Sequence, residues 1–183
     1  MRHLSLALTL LLWTASVAGQ VPEPAAPSHA VAASNAARGW QPSEAQRERV
    51  LRDVQAYFTA KDEGRYGDAY AHFAPSQKSS VPFEQWKANL ERFYGQAGSR
   101  EGRSIRRVTW YHHPANAPAG VYAAVDFSGA FSGLGLYCGY VALREQMDGS
   151  FAVAREEENS IPKDLMAKLS PDALKRVQAE FRC

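Results

Sequence analysis

A surplus of either charge is what this sequence most plainly lacks. Lys and Arg number 21 against 19 Asp and Glu, a formal net charge of +2. That balance excludes the basic footprint of a nucleic-acid binder and gives no pull toward an anionic membrane surface. Gly-rich phosphate loops are missing, and no Ser-His-Asp signature is present. Cysteine is scarce, with two in the chain, and neither stands at ligand spacing beside a histidine pair. His112-His113 stand side by side, but neighbours on a strand point to opposite faces and cannot share one ion. No cofactor and no metal are expected. Long apolar runs are absent after the first 18 residues, so no later segment spans a bilayer.

What is present begins with Arg2 and His3, an apolar run over Leu4 to Trp13, and small residues at Ser16 and Ala18. These are the parts of a secretory signal, with cleavage expected after Ala18. Removing Arg2 with it leaves 20 Lys and Arg against the same 19 acids. A periplasmic or secreted location follows as an expectation. In an oxidising compartment Cys138 and Cys183, the two cysteines, are expected to pair. That bond would fasten the last helix to the sheet.

Residues 19–42 are rich in Ala, Pro and Ser and have no apolar period, which predicts a disordered linker. Trp40 is the first residue expected to touch the domain, which covers 43–183. Ser43 with Gln46 fits a capping box, and Val50, Leu51, Val54, Tyr57 and Phe58 recur at helical spacing behind it. Arg47, Arg49, Arg52 and Lys61 are read as the opposite, solvated face, and Gly64 as the residue that ends the helix. A short second helix over 65–74 carries Tyr66, Tyr70 and Phe73, with Pro75 as its stop. A third opens at Val81-Pro82, with Phe83, Trp86, Leu90 and Phe93 as a core stripe and Gly95 and Gly98 closing it.

Strands are predicted over 104–112, 121–131, 134–146 and 151–157. The Asp148-Gly149 pair marks a tight hairpin between the last two. Ser170 and Pro171 then open a final helix with Leu174, Val177 and Phe181 as its stripe. Helices gathered at one end of an antiparallel meander define an α+β fold. Glu156-Glu157-Glu158 could form a cation site, with Glu156 and Glu158 on one face of the strand and Glu157 on the other, but reads first as the charged rim of an edge strand, with Arg103, Arg106 and Arg107 as exposed partners.

Two passages carry a family likeness. YFTAKDEGRYGDAYAHFAP followed by VPFEQWKANLERFYGQAG resembles the helical front of nuclear transport factor 2-like proteins. VYAAVDFSGAF followed by YCGYVALREQMDGSFAVAREEE resembles the bacterial domain-of-unknown-function family 4019, whose members are mostly exported. The likeness covers about residues 50 to 160. The chain departs from the family pattern after the Asp-Gly turn, with Phe151 where Trp is expected and a polar end at Arg155 to Glu158. The resemblance implies a cone-shaped curved antiparallel sheet with a pocket between sheet and helices, and it implies no established activity.

Within such a cone the pocket candidates are Tyr57, Tyr70, Trp86, Trp110, Tyr122, Asp126 and Tyr137, with Tyr66 and Tyr140 as further rings. Asp126 shares the polar face of its strand with Tyr122 and Ser128. If that face lined the cone, Asp126 would be an acid or base beside aromatic walls, the setting in which steroid isomerases of the same superfamily use an Asp and a Tyr. His72 on the short helix is a candidate proton shuttle. The leading expectation is an exported, non-catalytic binding or interaction module. Its partner would be a small apolar molecule or an envelope protein. The alternatives are a cofactor-free isomerase or lyase built on Asp126, and an envelope assembly factor acting through its surface. Homodimerisation through the sheet stays open.

Overall fold

The computed structural model describes residues 30–33, 39–181 and 183. The expected signal segment and most of the expected linker lie outside the described residues. Within that linker stretch Ala30–Ala33 forms a four-residue strand, β1, parallel to the sheet's outer strand. The correction has a simple cause. An edge strand offers a row of unpaired N–H and C=O groups, and Ala-Val-Ala-Ala contains no proline to refuse them.

Helix α1 (Glu44–Asp62) starts as the sequence predicts. The Ser43 hydroxyl accepts from the Gln46 N–H at 3.1 Å, and the Gln46 side chain accepts from the Ser43 N–H at 2.9 Å. Gly64 follows the helix at φ +72°, the left-handed position that ends it. After α2 (Tyr66–Ala71), Pro75 does more than stop a helix. It occupies the first turn of α3 (Pro75–Ser80), a short helix not expected from the sequence. Helix α4 (Phe83–Ala97) then buries Trp86 and Leu90.

The strands β2 (Arg100–His112), β3 (Val121–Phe131), β4 (Leu134–Glu145) and β5 (Phe151–Pro162) run as an antiparallel meander in chain order. β2 begins four residues earlier than predicted, and β5 continues five residues later. Two short helices, α5 (Lys163–Met166) and α6 (Pro171–Glu180), end the chain. Ser170 caps α6 through a bond from the Ala173 N–H at 3.2 Å. The expected α+β architecture is present: four antiparallel strands with α1 and α4 packed on one face. Val50, Val54, Phe58, Leu90, Trp110, Val125, Phe127, Val141 and Val153 form the core between them.

Two bulges decide what faces that core. In β2 the register shifts between Ile105 and Arg107. Arg103 and Ile105 therefore point inward before the shift, and Val108 and Trp110 after it. In β5 the shift falls between Val153 and Arg155, leaving Ala154 as the extra residue. Phe151 and Val153 are buried before it. Beyond it Glu156 and Glu158 turn inward, while Arg155 and Glu157 turn out, at 67% and 46% exposed. Side-chain parity on a strand is strict, so one inserted residue exchanges the faces. The bulge lies where the α2–α3 turn docks: Val153 N–H donates to the His72 carbonyl and its own carbonyl accepts from Ala74 N–H, each at 2.8 Å.

Gly139 of β4 lies opposite Glu158. A Cβ there would collide with the Glu157 carbonyl oxygen, a backbone atom that cannot swing aside. Gly139→Ala is expected to cost about 1–3 kcal/mol, the usual range for overpacking. Chemical denaturation measures it, and a variant as stable as its parent would show that β5 slides without resistance.

Cys138 and Cys183 form the expected disulfide, with their Cα atoms 5.8 Å apart. Tyr137 packs into the core, so its neighbour Cys138 lies on the opposite face of the sheet. The bond draws the end of α6 to that outer face. No residue of α6 is buried.

Candidate functional site

Beneath α1 the core contains a continuous ionic network. Lys61 is 1% exposed. Its ammonium donates to Glu156 Oε1 and to Glu158 Oε1, both at 2.7 Å. The Tyr57 hydroxyl donates to the other oxygen of Glu156 at 2.7 Å. Tyr137 donates to Glu158 Oε1 and accepts from Arg103 Nη1 at 3.1 Å. Arg103 closes a two-pronged pair on Asp62, Nη2 to Oδ1 at 2.8 Å and Nε to Oδ2 at 3.1 Å. Tyr94 of α4 donates to the same Asp62 at 3.0 Å. The Arg103 guanidinium lies over the Phe58 ring at 4.5 Å and over the Phe127 ring at 4.9 Å, a setting that suits a weakly hydrated cation.

The local causes are visible in each element. On α1, Lys61 follows Tyr57 by one turn and Val54 by two, so it continues the apolar stripe. It therefore belongs to the buried face, not the solvated one, which corrects the sequence reading. Glu156 and Glu158 reach the core because of the bulge at Ala154, so they are not an exposed rim. Arg103, expected as an exposed partner of that rim, is buried with Asp62. Gly129 makes room for the network, since a Cβ there would strike the Tyr137 ring 2.8 Å away.

Five groups of the network, Tyr57, Lys61, Tyr137, Glu156 and Glu158, are held away from their ordinary titration. Burial raises Tyr57 well above its ordinary 10.0, and the Glu156 charge adds to the effect. Burial and the Glu158 charge do the same to Tyr137. For Lys61 burial alone would lower the value, but Glu156 and Glu158 outweigh it and the ammonium is held above 10.5. Burial raises Glu156, against the pull of Lys61. Burial also opposes ionisation of Glu158, yet Lys61 and the hydrogen bonds from Lys61 and Tyr137 hold it below its ordinary range.

An alkaline limit follows. A raised Lys61 contributes stability that is complete below 10.5 and is lost as pH climbs from there through the folded value. Raised tyrosines act in the same direction from 10.0 upward, because the unfolded chain ionises first. The urea midpoint is therefore expected to fall steeply above about pH 10. An unchanged midpoint at about pH 11 would show the network to be solvated. On the acid side Glu156 and Glu158 shift in opposite directions, so their contributions oppose each other.

Two openings reach this network. A cleft of about 320 Å³ between α4 and β5 is walled by Trp86, Leu90 and Phe93 and floored by Glu156 and Glu158, with Asn89 and Ser160 also lining it. A smaller opening of about 150 Å³ lies beside α1, where Asp62, Arg100 and Arg103 meet.

The pocket candidates named from sequence separate into three groups. Tyr57 and Tyr137 belong to the network, and Trp86 walls the larger cleft. Tyr70 stands behind Trp86, 5.7 Å from its ring, with its hydroxyl donating to the Val81 carbonyl at 2.8 Å. Trp110 is buried against Phe151 in the core. Tyr122 and Asp126 lie on the outer face of the sheet, away from both openings. Asp126 accepts there from Arg107 Nε at 2.8 Å, and Tyr122 donates to the Pro118 carbonyl at 2.8 Å. Tyr140 is also on that face and donates to Glu157 at 3.2 Å.

His72 is half-buried, and burial lowers its titration. His112 stacks on Trp40 at 4.9 Å, and His113 Nδ1 accepts from the Gly120 N–H at 3.0 Å. Lys61, Asp62 and Arg103 were not among the candidates, and Glu156 and Glu158 entered only as a possible cation site set below the edge-strand reading. The one available signal was the position of Lys61 on the apolar stripe.

No helix among the described residues is long and apolar enough to cross a membrane. No curated protein and no solved structure matches the chain. A family described as Protein of unknown function (DUF4019) matches residues 53–155. That span runs from α1 through the strand bulge at Ala154 and contains Tyr57, Lys61, Asp62, Arg103 and Tyr137, so the chain belongs to the DUF4019 family.

Proposed function

We propose that this is an exported, non-catalytic binding module of a bacterial envelope, with a nuclear transport factor 2-like cone that holds a small ligand between α4 and β5. The observation that carries the reading is the cleft itself. It has an apolar wall of Trp86, Leu90 and Phe93 and a few fixed polar groups at its floor, the usual composition of a small-molecule site. Binding is favoured over turnover by the state of the groups beneath the floor. Lys61 is held protonated between two carboxylates, and both tyrosines are held neutral far above physiological pH. A general acid or base works best with a pKa near the working pH, and these three groups lie far from it; Glu156, raised by burial, is the one group here shifted toward it, and its two oxygens are taken by Lys61 and Tyr57.

The bulged, helix-covered meander supports the cone, and the basic, apolar and small-residue order of residues 1–18 supports export.

Native mass spectrometry of protein recovered from the producing cell tests the reading. A retained non-covalent ligand is expected, lost when Asn89→Trp blocks the mouth, on a chain that begins at Gly19. An empty cleft in every preparation would overturn the binding reading. A chain that keeps Met1 would overturn export.

A further inference from the structure

We propose that the α4–β5 cleft selects a small organic cation, an ammonium group carried on an apolar body; this deepens the binding-module reading and rests on it. Charge at the floor comes first. Glu156 and Glu158 share one cation, Lys61. Arg103 makes no direct contact with them, because its Nε and Nη2 are committed to Asp62 and its Nη1 to the Tyr137 hydroxyl, and its charge reaches Glu158 only from beyond that hydroxyl. Arg100 approaches Asp62, at 3.6 Å, on the side of the other opening. The floor thus presents two carboxylates to one ammonium.

Hydrogen-bond accounting points the same way. Both oxygens of Glu156 are occupied, one by Lys61 and one by Tyr57. Glu158 uses Oε1 for both Lys61 and Tyr137, and its Oε2 has no donor among the described residues. That side chain is 20% exposed and lines the cleft. A guest placed there meets a charged, open acceptor, which calls for a charged donor.

The walls decide the rest. Trp86 and Phe93 present aromatic surface beside the carboxylates, and ring faces attract cations once water is displaced. Leu90 and the ring edges call for an apolar body. About 320 Å³ holds roughly ten waters at their liquid volume, room for one ring or a short branched chain. A carboxylate guest would face like charge. A neutral guest would strip water from Glu158 and leave its free oxygen unpaired.

The experiment uses the mature, oxidised chain and three probes of one shape: benzylamine, benzyl alcohol and benzoate, followed by chemical-shift titration. Benzylamine is expected to bind at least about tenfold more tightly than benzyl alcohol, the scale of one charge-assisted contact, with benzoate weakest. Glu158→Gln is expected to reduce the amine preference to within about threefold, the residue of the ring contacts. Should that variant fail to fold, Ser160→Lys at the exposed rim supplies a competing ammonium for Glu158 while every residue of the network is kept. It is expected to weaken benzylamine at least about tenfold more than benzyl alcohol, since the added ammonium competes for the carboxylate and not for the apolar wall.

Equal affinity for amine and alcohol would overturn the cation selection while leaving the cleft as the binding site. The same holds for an amine preference that survives both variants. Failure of all three probes would overturn the cleft reading itself.

Discussion

Lys61→Met is expected to cost about 3–5 kcal/mol, because removing one partner of a buried pair leaves uncompensated charge in the core. Methionine matches the lysine stem in length and apolar character, so packing changes little. What disappears is the ammonium between Glu156 and Glu158. Both carboxylates would keep one tyrosine hydroxyl, from Tyr57 and Tyr137 respectively, which falls short of neutralising two charges.

Restoring charge balance should restore stability. The triple variant Lys61→Met, Glu156→Gln, Glu158→Gln is expected to recover most of the loss, since neutral amides can accept the same tyrosine hydrogen bonds. Urea unfolding of the wild type, single and triple variants forms the test. A single-variant loss below about 1 kcal/mol would place these groups in the class of surface ion pairs and end the account of a buried network.

Opening the Cys138–Cys183 bond comes second in size. It closes 45 residues, and in the chain-entropy model a loop of that length contributes about 4 kcal/mol by restricting the unfolded chain. The loss is expected to appear as a fall of several degrees in Tm. Its spatial pattern is the sharper reading. α6 has no buried residue, so little apolar burial retains it after reduction. By contrast β3 carries Ala123, Val125 and Phe127 fully inside the core.

Hydrogen exchange after reduction should therefore rise through Pro171–Glu180 and stay slow through Val121–Phe131. A melting curve unchanged in excess reductant would show that the bond adds nothing. Exchange rising uniformly across the sheet would show that α6 belongs to the core's cooperative unit.

Much of the fold could be read along the chain because its signals are local. The Ser43–Gln46 capping box, the Gly64 stop, the Pro82 start of α4 and the Asp148-Gly149 hairpin each depend on a few adjacent residues. The stripe of Phe83, Trp86, Leu90 and Phe93 depends on helical period alone. The candidate site was legible only at Tyr57, Trp86 and Tyr137, rings large and apolar enough to be sought in a core. Lys61, Asp62 and Arg103 were missed, and Glu156 and Glu158 read first as an exposed rim, for one reason. Charge in a sequence argues for solvent, and only a specific partner overturns that expectation.

The sequence by itself determined the four meander strands and the longer helices, their order, the pairing of two cysteines, the near-zero net charge, and the family. Tertiary structure alone decided which strand faces look inward. The register shifts in β2 and β5 arise from pairing between strands and, at Val153, from the backbone of the α2–α3 turn. No alternation within a single strand can announce an extra residue that only its neighbour's hydrogen bonds define. Those two bulges bring Arg103, Glu156 and Glu158 under Lys61, on the face opposite Asp126. The physical reason is that parity is local, whereas register, and hence the company a charge keeps, belongs to the assembled sheet.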